Sequence, residues 1–134
     1  MRVPLGWLKE YVEVAVSPAE LGRMLLMAGV GIEAVEGDVL DLEVTANRAD
    51  LLSMLGVARE AGVLLGRRPR APEIRYAEAG EEVARAWSVE VAAPDLCPRY
   101  TARLVRGVRV GPSPSWMASR LASAGIRSVN TVVD

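Results

Sequence analysis

Histidine is absent from this sequence of 134 residues, and cysteine occurs only once, at Cys97. These two shortages exclude a Ser-His-Asp triad, a Cys-His catalytic pair and the zinc sites that are built from clusters of cysteine and histidine. A single thiol cannot form a disulfide within the chain, so Cys97 is interpreted as a small hydrophobic residue. No catalytic residue and no metal site is predicted.

Long apolar runs are also missing. The longest stretch without a charged residue covers residues 110–119 and contains two prolines, whereas a membrane span needs about 20 apolar residues. Charged residues interrupt the N-terminal segment where a signal peptide would need its apolar core. With 51% hydrophobic and 25% charged residues, the composition is typical of a folded domain, and we expect a cytoplasmic protein with no membrane contact.

Acidic residues are missing from most of the last third of the chain. Residues 97–133 contain six arginines and no acid, although the net charge of the chain is only -1. The planar guanidinium group suits phosphate, so this segment is a candidate RNA-binding surface. A solvated basic face is the alternative, and the charge pattern alone favours it. The candidate RNA-binding residues are Arg99, Arg103, Arg109, Arg120 and Arg127.

A capping pattern near the N-terminus predicts the first helix. Ser17 precedes Pro18, and Glu20 stands three residues after the serine. This is a capping box with proline at the first helical position. A helix is therefore predicted over residues 18–28, with Gly29 as its stop.

Alternating apolar and polar residues follow, on both sides of Gly37-Asp38. Alternation with a period of two predicts strands, and a two-residue turn containing glycine joins strands into a hairpin. In the second strand, Leu40, Leu42 and Val44 share one side. We expect that side to face the helices.

A polar connector, residues 45–50, leads into a second predicted helix over residues 51–65. Asp50 is expected to cap this helix, Asn47 to fasten the turn, and Arg48 to bridge carboxylates or carbonyls. Contact of Arg48 with RNA or with a neighbouring domain is the alternative. The structural role is favoured, because a connection from strand to helix needs these hydrogen bonds whatever the function.

Two strands are predicted between residues 87 and 110. A short one covers residues 87–91, and a longer one covers residues 100–110. In the longer strand, Tyr100 and the apolar residues that alternate from it form the predicted buried side. Arg103 and Arg109 are expected to project together from the opposite side.

These elements predict an α+β fold with two parts. A helix-hairpin-helix domain over residues 1–66 is followed by a linker over residues 67–86, where prolines, arginines and glutamates show no apolar period. Residues 87–134 are predicted to begin a second, mixed α/β domain. It continues with a helix capped by Ser113 and with a last strand that starts at Val129.

Five segments carry a resemblance to a known family when they are taken in order. They are MRVPLGWLKEYV at 1–12, LLMAGVGIEAVEG at 25–37, LDLEVTANRADLLSMLGVARE at 40–60, APDLCPRYTARLVRGVRVGPSPSWM at 93–117 and AGIRSVNTVVD at 124–134. The segments resemble the N-terminal part of the bacterial phenylalanyl-tRNA synthetase beta subunit. The TANRAD connector followed by LGVARE is the most specific part of the resemblance.

The chain departs from the family pattern at two notable places. Ala46 stands where the family usually has proline in the connector. Most bacterial members also carry an OB-fold tRNA-binding domain inserted around positions 36–38, where this chain has only Gly37-Asp38. Because the two ends of a hairpin already meet, a domain can be absent there with little disturbance.

The resemblance implies a subunit of phenylalanine-tRNA ligase, which uses ATP and Mg²⁺ as a complete enzyme. The implied partners are the synthetase alpha subunit, a second beta subunit and tRNA(Phe). This segment is expected to bind no cofactor and to hold no active site, and we expect it to contribute to subunit assembly and tRNA positioning. The sequence stops at Asp134, within an apolar segment, and this favours a fragment or reduced form of that subunit. The alternative is a stand-alone RNA-binding or protein-interaction module derived from that subunit.

Overall fold

All three strands lie in the first half of the computed structural model, which describes residues 1–78 and 80–134. The strands are β1 (Arg2–Pro4), β2 (Gly31–Glu36) and β3 (Val39–Glu43). They form one antiparallel sheet in the order β1-β3-β2. The helices are α1 (Leu5–Leu8), α2 (Pro18–Met27), α3 (Met54–Leu65), α4 (Val83–Ala86) and α5 (Ser115–Ser123), and a 3-10 helix covers Ala46–Leu52.

The capping pattern places the first long helix correctly. The Oγ of Ser17 accepts a hydrogen bond of 3.2 Å from the backbone amide of Glu20, and Pro18 occupies the first helical position. After α2, Gly29 adopts a φ of 88°. That left-handed conformation ends the helix and is accessible to glycine at little cost.

The predicted hairpin is present as β2 and β3. Gly37 has a φ of 59°, which the tight turn between the strands requires. Leu40 and Leu42 are fully buried, and Val44 packs partly buried against the same core. The expected inward side of β3 is therefore confirmed.

The register of β2 differs from simple alternation. A bulge between Ile32 and Ala34 shifts the pairing, so Ile32 lies opposite Leu42 and Val35 lies opposite Leu40. Because a bulge adds one residue to one strand, the side chains beyond it change sides. Val35 thus shares the helix-facing side with Ile32, although the two residues are an odd number of positions apart.

Strand β1 was not predicted. It is three residues long and includes Pro4, which pairs with Val39 at the edge of the sheet. Proline is tolerated on an edge strand, since its missing amide has no partner to lose there. The amide of Leu5 donates to the carbonyl of Asp38 at 2.8 Å, which ties the chain after β1 to the hairpin turn.

One apolar core joins the sheet to α1, α2 and α3. Its members are drawn from the first 61 residues, and no polar or charged residue is buried among the described residues. The buried hydrophobic residues are Val3, Leu5, Leu8, Val12, Val14, Leu21, Leu25, Val30, Leu40, Leu42, Leu51, Met54, Val57, Ala58 and Ala61.

The second helix begins later than predicted, and Asp50 does not cap it. The 3-10 helix Ala46–Leu52 comes first, and α3 starts at Met54. Ser53 is the cap, since its Oγ accepts a hydrogen bond of 3.0 Å from the amide of Gly56. The carboxylate of Asp50 instead binds an arginine, described below.

The two strands predicted over residues 87–91 and 100–110 are absent from the described structure. No described backbone amide from residue 99 to residue 108 donates to another backbone carbonyl. A strand is stabilised by a paired neighbour and by burial of one side. Neither is present here, because Tyr100, Leu104 and Val108 are all exposed.

The last 24 residues contain the predicted helix, but its cap and the final strand were predicted wrongly. The Oγ of Ser113 donates to Oδ2 of Asp134 at 2.6 Å, so it does not cap α5. Residues 131–133 form a turn instead of a strand. The Oδ1 of Asn130 stabilises that turn by accepting hydrogen bonds from the backbone amides of Val132 and Val133.

The described residues group into two compact units. The first unit comprises residues 1–73 and 111–134, and the second unit comprises residues 74–110. This grouping differs from the predicted division at residues 66 and 87, because α5 lies against β1.

Candidate nucleic-acid interface

The five arginines predicted to bind RNA are divided between the two units. Arg99, Arg103 and Arg109 belong to the second unit, whereas Arg120 and Arg127 belong to the first. They therefore do not form one surface within either unit. The common strand that was expected to present Arg103 and Arg109 together is also absent.

In the second unit, an aromatic ring contacts one of the predicted arginines, and an acid pairs with a further arginine. The guanidinium carbon of Arg103 lies 4.6 Å from the ring centroid of Tyr76, which is a cation–π distance. Nearby in the sequence, Arg106 forms an ion pair of 3.1 Å with Glu81. Arg99 is exposed, and no acid among the described residues pairs with it.

In the first unit, Arg120 is held between two tryptophans. Its guanidinium carbon lies 5.1 Å from the ring centroid of Trp7 and 5.6 Å from that of Trp116. The same guanidinium group forms an ion pair with Glu10. The Trp7 contact joins α5 to α1, the Glu10 ion pair joins α5 to the segment just after α1, and the Trp116 contact lies within α5. In this structure Arg120 therefore acts as an internal clamp. We call this cluster the Arg120 clamp.

The end of the chain is tied together by Asp134. Its carboxylate accepts hydrogen bonds from the hydroxyls of Ser113 and Ser128 and from the amide of Val129. These bonds, with that of Ser113 the largest contribution, hold the pKa of Asp134 below its usual value. Arg127 lies beside this turn in the sequence, and it is exposed with no ion-pair partner among the described residues.

The connector between β3 and α3 contains the densest polar cluster of the first unit. Arg48 donates from Nε and Nη2 to the two carboxylate oxygens of Asp50, at 3.1 and 3.0 Å. Its Nη2 also donates to Glu60 on α3 at 2.8 Å. The hydrogen bond with Arg48 is the main cause that holds the pKa of Asp50 below its usual value. Asn47 is exposed and is not part of this described cluster.

A glycine in α3 allows the connector to pass close to the helix. A Cβ atom on Gly56 would lie 1.8 Å from the carbonyl oxygen of Asp50, a distance that no side chain can occupy. The LGVARE segment therefore needs glycine here. Sequence analysis missed this requirement, since it depends on how the connector folds back against the first turn of α3.

The described residues offer little that could carry out chemistry. They contain no group of three or more histidine, cysteine, aspartate or glutamate residues that could hold a metal ion. No described helix is both long enough and apolar enough to cross a membrane.

Comparison with known proteins finds several phenylalanine-tRNA ligase beta subunits as relatives. The phenylalanine-tRNA ligase beta subunit of Rhodopirellula baltica is 46% identical over 138 residues, covering 100% of this chain and 20% of the relative. The corresponding subunit of Syntrophus aciditrophicus is 41% identical over 136 residues, covering 96% of this chain and 17% of the relative. That of Moorella thermoacetica is 53% identical over 96 residues, covering 72% of this chain and 12% of the relative.

Two further comparisons define the extent of the match. A family model described as the B3/4 domain matches residues 96–134. No solved structure matches.

The chain spans about a fifth or less of the length of these relatives. Its alignment with the Rhodopirellula baltica subunit covers the whole chain in 138 positions, which leaves no room for an inserted domain at Gly37-Asp38.

Proposed function

Over its whole length this chain is homologous to part of the phenylalanine-tRNA ligase beta subunit, and from that relationship we propose that it serves in subunit assembly and tRNA positioning. The observation that carries the proposal is the 46% identity across 100% of the chain. The complete enzyme would charge tRNA(Phe) with phenylalanine in the cytoplasm, together with an alpha subunit and a second beta subunit. This chain is a fragment or reduced form of the beta subunit.

The reaction itself is proposed to occur outside this segment. ATP and Mg²⁺ belong to the complete enzyme, and the described residues do not fit Mg²⁺, because no three of their acids are grouped as ligands. Asp50 and Glu60, which converge on the connector, are both bound to Arg48. We assign Arg48 and Asp50 a structural role in the connector.

The domain arrangement of the complete subunit is proposed to be that predicted from the sequence. Residues 1–66 form a helix-hairpin-helix domain, residues 67–86 a linker, and residues 87–134 the start of a second domain. The B3/4 match from residue 96 supports that second domain. The exposed apolar side chains of residues 100–110 also support it, since apolar side chains in such number are usually covered in a complete protein.

The arginine set stays a proposed RNA contact. Arg99 and Arg127 suit this role best, since both are exposed and neither has an ion-pair partner among the described residues. Arg103 and Arg109 retain the role with less support, because Arg103 already contacts Tyr76. Arg120 would have to leave its clamp to reach RNA.

A hybrid subunit tests the proposal. The corresponding segment of the Rhodopirellula baltica beta subunit is replaced by this chain, and the hybrid is produced together with the alpha subunit of that organism. We expect the hybrid to copurify with the alpha subunit and to charge tRNA(Phe) at a rate comparable to the parent. A matched hybrid with Leu42→Asp should lose assembly, because it places a charge in the core. A folded hybrid that neither assembles nor charges tRNA would contradict the proposal and favour a stand-alone module.

A further inference from the structure

A groove on the first unit is lined by two segments that are distant in the sequence. Residues 9–14, which follow α1, form one wall, and residues 67–70, which follow α3, form the other. The groove has a volume of about 690 Å³. Its basic residues are Lys9, Arg67, Arg68 and Arg70. The arginines among them lie in the predicted linker and outside the predicted RNA-binding set.

Backbone contacts hold the arginine wall in place. After α3, Gly66 adopts a φ of 62°, and the amide of Arg67 donates to the carbonyl of Gly62 at 2.8 Å. The amide of Arg70 donates to the carbonyl of Tyr11 at 2.7 Å, which joins the two walls. The basic side chains therefore start from an ordered backbone, and a ligand would not have to order that backbone on binding.

Close packing adds to this order. A Cβ atom on Gly62 would lie 2.6 Å from the carbonyl oxygen of Arg67, so the turn lies directly on the helix. Pro69 restricts its own φ angle and restricts Arg68 to extended backbone. Arg68 and Arg70 are then at most about 7 Å apart along the chain, which allows both to contact one extended ligand.

The groove carries an excess of positive charge. Its two acids already have basic partners, since Glu10 pairs with Arg120, and Glu13 lies 3.5 Å from Nε of Arg67. Within the described part of the chain, the remaining three bases have no acid at ion-pair distance. These bases are Lys9, Arg68 and Arg70.

We propose that this groove binds the phosphate backbone of RNA, an inference that rests on the proposed role in tRNA positioning. Unpaired cations on a concave surface concentrate the field that attracts a polyanion. The forked donors of Arg68 and Arg70 can each make two parallel hydrogen bonds to a phosphate. The lining offers charge without groups arranged to read bases, so the contact is independent of sequence and helps to position the RNA.

Binding of the 134-residue chain to fluorescently labelled tRNA(Phe), followed by anisotropy from low to physiological salt, tests the groove. We expect the Arg68→Gln/Arg70→Gln variant to bind about tenfold more weakly at 50 mM salt and to flatten the slope of log K against log salt by roughly 1.5. The matched control is Arg23→Gln/Arg59→Gln, which removes the same charge from exposed positions on α2 and α3. This control should keep most of the wild-type slope.

Further measurements keep the outcomes distinct. The Arg68→Lys/Arg70→Lys variant preserves charge and should keep most of the slope, and equal denaturation midpoints establish that all variants are folded. If the Arg68→Gln/Arg70→Gln variant kept the wild-type slope of log K against log salt, RNA binding by the groove would be contradicted, whereas the proposed role in tRNA positioning would stand. If the wild-type protein showed no salt-dependent binding to tRNA(Phe), both RNA binding by the groove and the role in tRNA positioning would be contradicted. Loss of binding to the alpha subunit with unchanged tRNA binding would instead make the groove a protein contact and overturn the proposal.

Discussion

The hairpin of the first unit, residues 31–44, and residues 100–110 both alternate apolar with polar side chains, yet they differ in what those side chains contact. In the first region, Leu40 and Leu42 of β3 are 0% and 1% exposed, and strands pair with β3 on both sides. In the second, Leu104 is 46% exposed and Val110 is 71% exposed. The same kind of pattern produces a core in one place and an uncovered surface in the other.

The difference teaches that alternation specifies a strand only when a neighbour completes it. Strand β3 has β1 and β2 as neighbours, and helices cover its apolar side. The second unit has no strand among its described residues to pair with residues 100–110. Its apolar side chains then gain nothing from an extended conformation, because the stabilisation of a sheet comes from paired and packed neighbours.

The largest expected effect contrasts the two regions directly. Leu42→Asp should lower the free energy of unfolding by about 4 kcal/mol, because it buries an unpaired carboxylate in the core. Leu104→Asp should change it by less than about 0.5 kcal/mol, since that position is 46% exposed. Chemical denaturation of the two variants measures both values. Equal losses would show that the two regions do not differ as described.

A smaller effect is expected from the close approach at α3. Gly56→Ala should lower the free energy of unfolding by about 2 kcal/mol, because the added Cβ collides with the carbonyl of Asp50 and forces the connector to move. Gly111→Ala is the matched control, since nothing lies within 4 Å of its Cβ position. If Gly56→Ala were as stable as this control, the connector could not follow the path described.

The Arg120 clamp should contribute less again. Arg120→Gln removes the ion pair with Glu10 and the contacts with Trp7 and Trp116, so we expect a loss of about 1 kcal/mol. Faster hydrogen exchange of the α5 amides and a changed tryptophan fluorescence emission would show that these contacts are lost. Arg127→Gln, an exposed position without an ion pair in the described structure, should leave both unchanged.

The smallest effect is a dependence on pH. Arg48 holds the pKa of Asp50 below its usual value, so the stabilisation is present above the unfolded pKa of about 3.9 and is lost as the pH falls through the lower folded pKa. Arg48→Met should flatten the decline of stability below about pH 4. Asp50→Asn should flatten it to the same extent, and a double variant should add nothing. If the effects of the two substitutions were additive, Arg48 and Asp50 would not act on stability through the same interaction.

Local signals in the sequence were sufficient for much of the fold. Ser17, Pro18 and Glu20 located α2, and Gly37-Asp38 located the hairpin, because each signal acts on its own neighbours. The short strand β1 depends on pairing with a distant segment, and the bulge in β2 and the requirement for Gly56 depend on the exact path of the backbone. A pattern of residue types contains neither kind of information.

The candidate site was less predictable for the same reason. The arginine-rich composition was visible, but the partners of Arg120 come from α1 and α5. Likewise, the groove exists only because the backbone of Arg70 meets that of Tyr11. Charge can be counted from a sequence, whereas the pairing that leaves some charges without partners is set by the fold.

Hydrogen exchange tests the contrast between the two regions most directly, because it reports on each amide. In the 134-residue chain alone, we expect the amides of β3 and α3 to be protected and those of residues 100–108 to exchange almost as fast as in an unfolded chain. In the hybrid beta subunit, residues 100–108 should become protected, since the rest of the subunit would cover them. Strong protection of residues 100–108 in the isolated chain, or none in the assembled hybrid, would contradict the account.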